Sequence, residues 1–443
     1  MNGAEPATGD QAEATIAQRP RVCFVALHAL PTIDPALARP VGGTETRAWT
    51  FARGLAQSGR CDVSFIVRTD GPRARFQQAG VDVIPRVDRL YSLYESVGKC
   101  IERSPRFPGV RLRSWAWPLL WKAPVLGACR LLAAGSRNPW QADRLYMSEP
   151  ADLFCTFGVQ ANSARVIASA HATGRKAVLL IGSDGDLDER YQPESNYISP
   201  YGDVAEVCHR ILQRADRIVV QTAEQQRLLA ERFGRAGAVI ANPIDLAAWD
   251  RRRTAPLPDE FTGGWDRYAL WVGRAESLHK RPETLLRVAQ LCPTVDFLMI
   301  LNPRDRAVEQ HVRETCPPNV RIVSQVPHDL MPAVFERAAV FVSTSALEGF
   351  PNVFLQAAAT GVPIASLNVS GAWIRAANCG ECAAGNVRRL AQYVLSVWED
   401  PSSANLPVGA GRAFVAAEHD LPTQSARLFK VLESVLAVKG AHG

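Results

Sequence analysis

A chain of 443 residues, 47% hydrophobic and 21% charged, is too long for one ordinary core and too apolar for extended disorder, so two globular domains are expected. Its net charge of +6 is too modest by itself to argue for a membrane or nucleic acid, and no nucleic-acid partner is expected. No apolar run reaches the roughly 18 residues of a membrane-spanning helix; the nearest, Trp115 to Ala134, is broken by Pro118, Lys122, Pro124 and Arg130.

Residues 1–20 are rich in Ala, Gly, Gln and Thr and lack the apolar segment of a secretory signal, so they read as a loose tail on a cytoplasmic protein. Arg21 to Leu27 reads as the first buried strand. Thr44 to Gln57 then places Ala48, Phe51, Ala52 and Leu55 on one helical face, with Gly59 to end the helix. Val63, Phe65 and Val67 alternate as a strand. Leu153 to Thr156 and Ala177 to Ile181 are expected strands, with a helix over Ser163 to Ala172 between them. Arg217 to Val220 is another strand, and Thr222-x-x-Gln225 spells a capping box opening a helix to about Phe233. Ala238 to Ile240 closes this half, and the polar stretch Arg251 to Glu260 reads as a linker. The second half repeats the grammar: strands at Tyr268–Val272, Phe297–Leu301, Val320–Val323 and Val340–Ser343, with helices opening at Pro282 and running from Leu330 to Ala338. Strands alternating with helices imply an α/β fold of two doubly wound parallel-sheet domains. The expected divisions are 21–250, 251–420 and a C-terminal helix over 421–443 that returns to the first domain. Ligands of such folds sit at the carboxyl ends of the strands, here facing one cleft.

The ten cysteines are scattered, several inside strand-like runs, which suits buried thiols in a reducing compartment. Cys379-Gly-Glu-Cys382 has no second pair or flanking histidines to make a zinc site and reads as coincidence.

The strongest chemical signal is Ser345-Ala-Leu-Glu-Gly-Phe-Pro-Asn-Val-Phe-Leu-Gln356. A buried strand ends in a Gly/Pro loop, and a helix opening at about Asn352 aims free amides and a positive dipole end at an anion. Glu348 and Gln356 flank that start. The bland alternative is an S-x-x-E capping box on a buried helix. The second signal is Trp271-Val-Gly273-Arg274 with Lys280 six residues on: two cations beside a helix start outline a diphosphate site, Arg274 binding through paired N–H groups and Lys280 as a point charge. The third, Gly42-Gly43-Thr44-Glu45, lets backbone approach a phosphate or sugar, or is simply a turn with Thr44 as N-cap.

With these residues the sequence resembles the retaining GT-B glycosyltransferases, family 4-like (glycosyl transferases group 1), the group of sucrose synthase and bacterial phosphatidylinositol mannosyltransferase. The E-G-F-P-N loop with Gln356, the Gly273-Arg274…Lys280 set, Gly42-Gly43 and Val239-Ile-Ala-Asn-Pro-Ile-Asp245 carry the resemblance across about Arg21 to Val435. It implies a retaining, metal-independent enzyme that moves a sugar from a nucleotide-diphosphate donor to a saccharide or lipid-linked acceptor. The nucleotide sugar would be a substrate, and no cofactor is expected. By position, Glu348 would contact donor-sugar hydroxyls, with Arg274 and Lys280 stabilising the departing diphosphate. Gly42, Gly43, Gly273, Val326, Gly349, Phe350, Pro351, Asn352, Val353 and Gln356 would bind the donor, and the stretch Ser324 to Val326 would border the base. The acceptor side is assigned to His28, Glu45 and Asp184; His279 is read as a neighbour of Lys280.

Two departures stand out. Gln356 replaces a glutamate that holds the ribose hydroxyls, at a cost of about 1 kcal/mol, and Gly182-Ser-Asp-Gly-Asp-Leu-Asp188 lacks the histidine many relatives carry there. Two rival readings follow: a nucleotide-sugar-binding or scaffold subunit that lost catalysis, and a sugar-nucleotide epimerase. A dinucleotide oxidoreductase is not expected, because no G-x-G-x-x-G follows the first strand and Gly409-Ala-Gly411 comes too late. Asp184, Asp186 and Asp188 form a D-x-D-x-D that could bind a divalent cation, against the reading of a solvated acidic loop.

Between about 99 and 140 lies a basic aromatic insert. Residues 99–137 hold eight Lys/Arg (99, 103, 106, 111, 113, 122, 130, 137) against one acid, Glu102, with Trp115, Trp117 and Trp121 among leucines. This composition suits reversible docking on an anionic membrane surface, on the inner membrane face for a cytoplasmic enzyme. The alternative is tryptophans packed on the core with the charges in solvent.

Overall fold

The computed structural model describes residues 19–34, 37, 42–98, 100–103, 110–112, 115–132, 138–199 and 202–437. Most of the tail, with Lys99, Arg106, Arg113 and Arg137 of the basic insert, lies outside these residues, as do the side chains of Arg103, Arg111 and Arg130.

Two sheets form two lobes. The first contains β1 (Arg21–Val25), β2 (Asp62–Thr69), β3 (Phe76–Gln78) and β4 (Val81–Val87). A separate hairpin of β5 (Ile101–Arg103) and β6 (Val110–Leu112) intervenes. The first sheet then continues with β7 (Leu153–Phe157), β8 (Lys176–Leu180), β9 (Arg217–Val220) and β10 (Gly237–Val239). Its order is β10-β9-β8-β7-β1-β2-β4-β3, parallel except at β3. The second sheet, β13-β12-β11-β14-β15-β16, is parallel throughout; its strands are β11 (Tyr268–Arg274), β12 (Phe297–Asn302), β13 (Val320–Val323), β14 (Ala338–Ser343), β15 (Ile364–Ser366) and β16 (Gly380–Cys382). Central strands such as β7 are buried at every residue, which is why they read as continuous apolar runs.

Strand order reverses at β1/β7 in one lobe and β11/β14 in the other. At such a reversal the loops leave in opposite directions and open a crevice at the carboxyl ends. The Arg274–Lys280 loop and the Ser345–Asn352 loop leave this point in the second lobe.

Several elements depart from the expected pattern. The β3–β4 hairpin was not anticipated, because a three-residue strand carries almost no periodic signal; its turn places Ala79 and Gly80 at φ 52° and 79°, as the twist of a tight hairpin requires. The helix Arg306–Glu314, mostly polar, was also missed. The expected linker at Arg251 to Glu260 is not a free tether: a short helix covers Asp259–Thr262, and Arg253 Nε donates to Glu336 at 2.6 Å.

The C-terminal helix, Leu421–Ala437, crosses back to the first lobe, where Leu428, Phe429, Leu432 and Val435 join the core beneath the Gly43–Ser58 helix. Gly54 makes the approach close: a Cβ there would lie 2.2 Å from the Ser425 hydroxyl. The ten cysteines are free thiols, seven of them buried. The β5–β6 hairpin and the Leu119–Leu132 helix have their own small core of Val97, Cys100, Leu119 and Leu126.

Candidate active site

At the end of β11, Gly273 is needed because the buried Trp271 ring lies over it: a Cβ would sit 2.5 Å from that ring. Trp271 Nε1 donates to the Thr344 hydroxyl at 2.9 Å, and that hydroxyl donates to the Lys280 carbonyl at 2.8 Å. The Ala346 N–H donates to the His279 carbonyl at 2.7 Å, and Arg281 takes a left-handed φ of 51° to let the loop turn into its helix. These bonds staple the 279–281 loop to the exit of β14 and aim the Lys280 ammonium at Glu348, with which it forms an ion pair. The two side chains keep 17% and 18% of their surface exposed, so the pair is neither sealed in protein nor free in solvent. Ser345 donates to the same carboxylate oxygen at 2.9 Å. Ser345 and Glu348 therefore do interact, but not as a capping box, since the helix starts at Asn352. Arg274 is solvent-exposed at the strand end, and its guanidinium makes no hydrogen bond or ion pair among the described residues. His279 turns to Glu276 at 2.8 Å.

The Asn352–Thr360 helix begins after Pro351 with no side-chain cap and no acid in its first turn. Its leading amides and dipole end stay available to an anion. Asn352 also bridges the lobes: its Nδ2 donates to the Gly43 carbonyl at 3.1 Å, and its Oδ1 accepts from Asn242 Nδ2 at 2.8 Å. Two helix starts thus face each other. On the first-lobe side the N-cap is Gly42, not Thr44 as anticipated, and it has no side-chain hydrogen bond. Glu45 folds back over Gly42, whose added Cβ would meet its carboxylate at 2.1 Å.

Behind the loop stands an aromatic support. The Phe350 ring stacks on His419 with centroids 5.3 Å apart and meets Trp373 edge-on. His419 Nδ1 contacts the Asn242 carbonyl at 2.8 Å, and its Nε2 accepts from Trp373 Nε1 at 2.9 Å. Because one ring nitrogen must accept, the imidazole is neutral with its proton on Nδ1, and burial lowers its pKa accordingly. Val353 packs beside this cluster on the second-lobe core, in which Val326 is buried.

The first lobe supplies the opposite wall. The turn at Gly349 rests on the backbone of Ser183, where an added Cβ would come within 2.8 Å of Ser183 Cα. Gln225, expected to complete a capping box, does so by half: Thr222 caps the Gln225 N–H, but the Gln225 amide oxygen accepts from the Gln221 N–H at 2.8 Å. Its Nε2 donates to Asp184 Oδ1 at 2.9 Å. The cation-binding reading of D-x-D-x-D meets a different geometry. Asp186 accepts from the amides of Gly182, Ser183 and Val159, Asp188 pairs with Arg190 at 2.6 Å, and Asp184 accepts from Gln225. Among the described residues no three His, Cys, Asp or Glu side chains gather as a metal site. Below the wall, buried Arg47 donates to the carbonyls of Ile181 at 2.7 Å and Ile240 at 3.4 Å; desolvation lowers its pKa to about 9. His28 is exposed at the end of β1, beside Arg68 and Tyr91.

One turn along the Asn352 helix, a cavity of about 270 Å³ opens between the lobes, lined by Asn352, Gln356, His328, Arg53, Arg252 and Asp245 among others. Gln356 Oε1 is buried there and has no donor among the described residues. Asn242, His419, Gln225 and the cavity's cations escaped the sequence reading. Asn242 lay inside the quoted Val239–Asp245 segment and Gln225 inside a capping pattern; His419 and Arg53 carried no local signal.

Two doubly wound lobes closing on a cation–carboxylate pair beside an uncapped helix start define the GT-B class of sugar-transferring enzymes. The family model described as Glycosyl transferases group 1 matches residues 266–400, and that described as Glycosyltransferase Family 4 matches residues 41–248. The chain is 28% identical over 329 residues to a glycogen synthase of Mycobacterium tuberculosis, covering 70% of this chain and 73% of the relative. It is 27% identical over 191 residues to an Escherichia coli O-antigen chain mannosyltransferase B, covering 40% and 49%. Among solved structures it is similar to sucrose-phosphate synthase from Thermosynechococcus elongatus, with TM-score 0.62 and 18% identity over 95% of this chain and all of the other. It is also similar to an Anabaena protein crystallised with UDP-glucose, with TM-score 0.60 and 15% identity over 94% and 99%. The chain is a GT-B glycosyltransferase of the group 1, family 4-like kind.

Proposed function

We propose that this enzyme transfers a sugar from a nucleotide-diphosphate donor to an acceptor hydroxyl with retention of configuration and without a metal ion. The observation that carries the reading is the order of groups along the Asn352 helix. Glu348 with Lys280 stands at one end, free helix amides follow, and the Gln356 cavity lies one turn on. That order matches sugar, diphosphate and nucleoside. Lys280, with Arg274 at the neighbouring strand end, would offset the charge that grows on the departing diphosphate, the work a metal does elsewhere. The diphosphate would take the acceptor proton on the face it leaves, so no nucleophilic carboxylate is invoked. The unpartnered Gln356 oxygen would accept a ribose hydroxyl.

A thermal-shift panel of sugar nucleotides tests this. A donor at 100 times its dissociation constant adds about 2.7 kcal/mol of stability, so at least one member should raise the melting temperature clearly. No shift with uridine, guanosine or adenosine diphosphate sugars would remove the assignment.

The acceptor is proposed to be a saccharide or a lipid-linked saccharide, reached by a cytoplasmic enzyme from the bilayer surface. Trp115, Trp117 and Trp121 are 57%, 76% and 58% exposed, with Leu120 and Val125 beside them; they do not pack on the core. An exposed tryptophan cluster amid a surplus of cationic residues favours an anionic headgroup layer. Among the described residues no helix is long and apolar enough to cross a membrane, so the contact would be reversible. In flotation at low salt the protein should rise with phosphatidylglycerol vesicles, and Trp117→Ala combined with Trp121→Ala should stay at the bottom. Equal behaviour with and without vesicles would dismiss docking.

A further inference from the structure

Asp184 is the first-lobe carboxylate that the fold holds against the Glu348 loop. Its place is not accidental. Gln225 is fully buried, and its amide oxygen is committed to the Gln221 N–H, so its amide nitrogen must point the other way. That nitrogen would lie 3.2 Å from a Cβ on Gly349, and Asp184 Oδ1 accepts from it. The second Asp184 oxygen has no hydrogen bond among the described residues, and no cation pairs with the group. The acids near enough to act on its charge are Glu224 from the Gln225 helix, Asp186 from its own turn, and Glu348 from the second lobe, itself paired with Lys280.

Building on the sugar-transfer reading, we propose that Asp184 is the first lobe's contact to the transferred sugar and a determinant of donor choice. Its open oxygen accepts a sugar hydroxyl, and the carboxylates of Asp184 and Glu348, carried on loops that meet at Gly349, confine the donor to uncharged sugars, excluding hexuronates. A hydroxyl between two acceptor carboxylates gains charge-assisted bonds. A third carboxylate brought into the same half-buried space meets like charge that little water screens.

Burial, with those acidic neighbours, pushes the Asp184 pKa up to about 6. The group is therefore a carboxylate above that pH and a neutral acid below it. Transfer from an uncharged donor should rise as pH climbs through about 6, and discrimination against a uronate should shrink below it.

Matched pairs test the idea: UDP-glucose with UDP-glucuronate, and GDP-mannose with GDP-mannuronate, each beside UDP or GDP alone. Calorimetry at neutral pH should show the neutral sugar of the productive pair bound at least tenfold more tightly than its uronate, about the effect of one buried like-charge contact. In Asp184→Asn, which keeps Oδ1 to accept from Gln225, this ratio should narrow to below about threefold. Binding of the bare nucleotide should not change, and the rise of kcat/KM near pH 6 should disappear. Asp184→Ser should narrow the ratio as well, which guards against a fault peculiar to the amide. An unchanged ratio and pH limb in both variants, with nucleotide still bound, overturns the role of Asp184. Failure of UDP, GDP and all four sugars to bind overturns the sugar-nucleotide reading itself.

Discussion

Gly349→Ala is expected to lower kcat/KM about a hundredfold while the protein still folds, because a misplacement of about 1 Å near reacting groups costs that much. The added methyl would fall 2.8 Å from Ser183 Cα and 3.2 Å from the Gly182 carbonyl. Two of its three nearest neighbours are backbone, so no side-chain rotation relieves the contact. The lobes must separate at this point, or the Glu348 turn must shift. Either movement takes the Glu348 carboxylate away from Asp184 and loosens the geometry that Asn352 and Asn242 hold across the cleft. The contact lies at a lobe boundary and not in a core, so the melting temperature should change little. Steady-state kinetics beside a thermal melt checks both halves. Wild-type kcat/KM with an unchanged melt would mean the lobes do not meet at Gly349 when the enzyme works.

Lys280→Ala is expected to reduce transfer at least tenfold, about 1.4 kcal/mol of barrier, through kcat more than through KM. In the proposed mechanism the cation would interact most strongly with the charge that develops on the departing diphosphate, so its loss would fall on the transition state. Glu348→Gln should lose a similar factor, because the amide keeps the shape but weakens bonds to sugar hydroxyls. Each single change also strands its partner: Lys280 and Glu348 are paired, half-buried, and braced by Ser345. The double variant should therefore be less impaired than the product of the two single effects, the signature of residues that act as a unit. Strict additivity, or single variants at wild-type rates, would separate the pair from the chemistry.

The alternation of buried runs with amphipathic segments was enough to place most strands within a residue or two and to place a helix start after the β14 loop. That is local information: burial on both faces of a parallel strand leaves an unbroken apolar run, and a glycine-proline loop before a helix leaves amides free. The same locality explains the errors. Thr222-x-x-Gln225 has the spacing of a capping box, yet Gln225 spends its side chain on Gln221 and on Asp184, 41 positions away. Thr44 has the chemistry of an N-cap, yet Gly42 takes the position.

The sequence alone determined the fold class, the strand-end loops that carry Lys280 and Glu348, and the helix start at Asn352, because each depends on residues within one turn or one strand of each other. Tertiary structure alone decided which side chains meet across the cleft. Asn242 reaches Asn352 across 110 positions, His419 reaches Asn242 across 177, and Asn352 reaches Gly43 across 309. No periodicity encodes such pairs. They exist because two separately buried sheets turn their carboxyl ends toward one another and a returning C-terminal helix fastens the second lobe to the first.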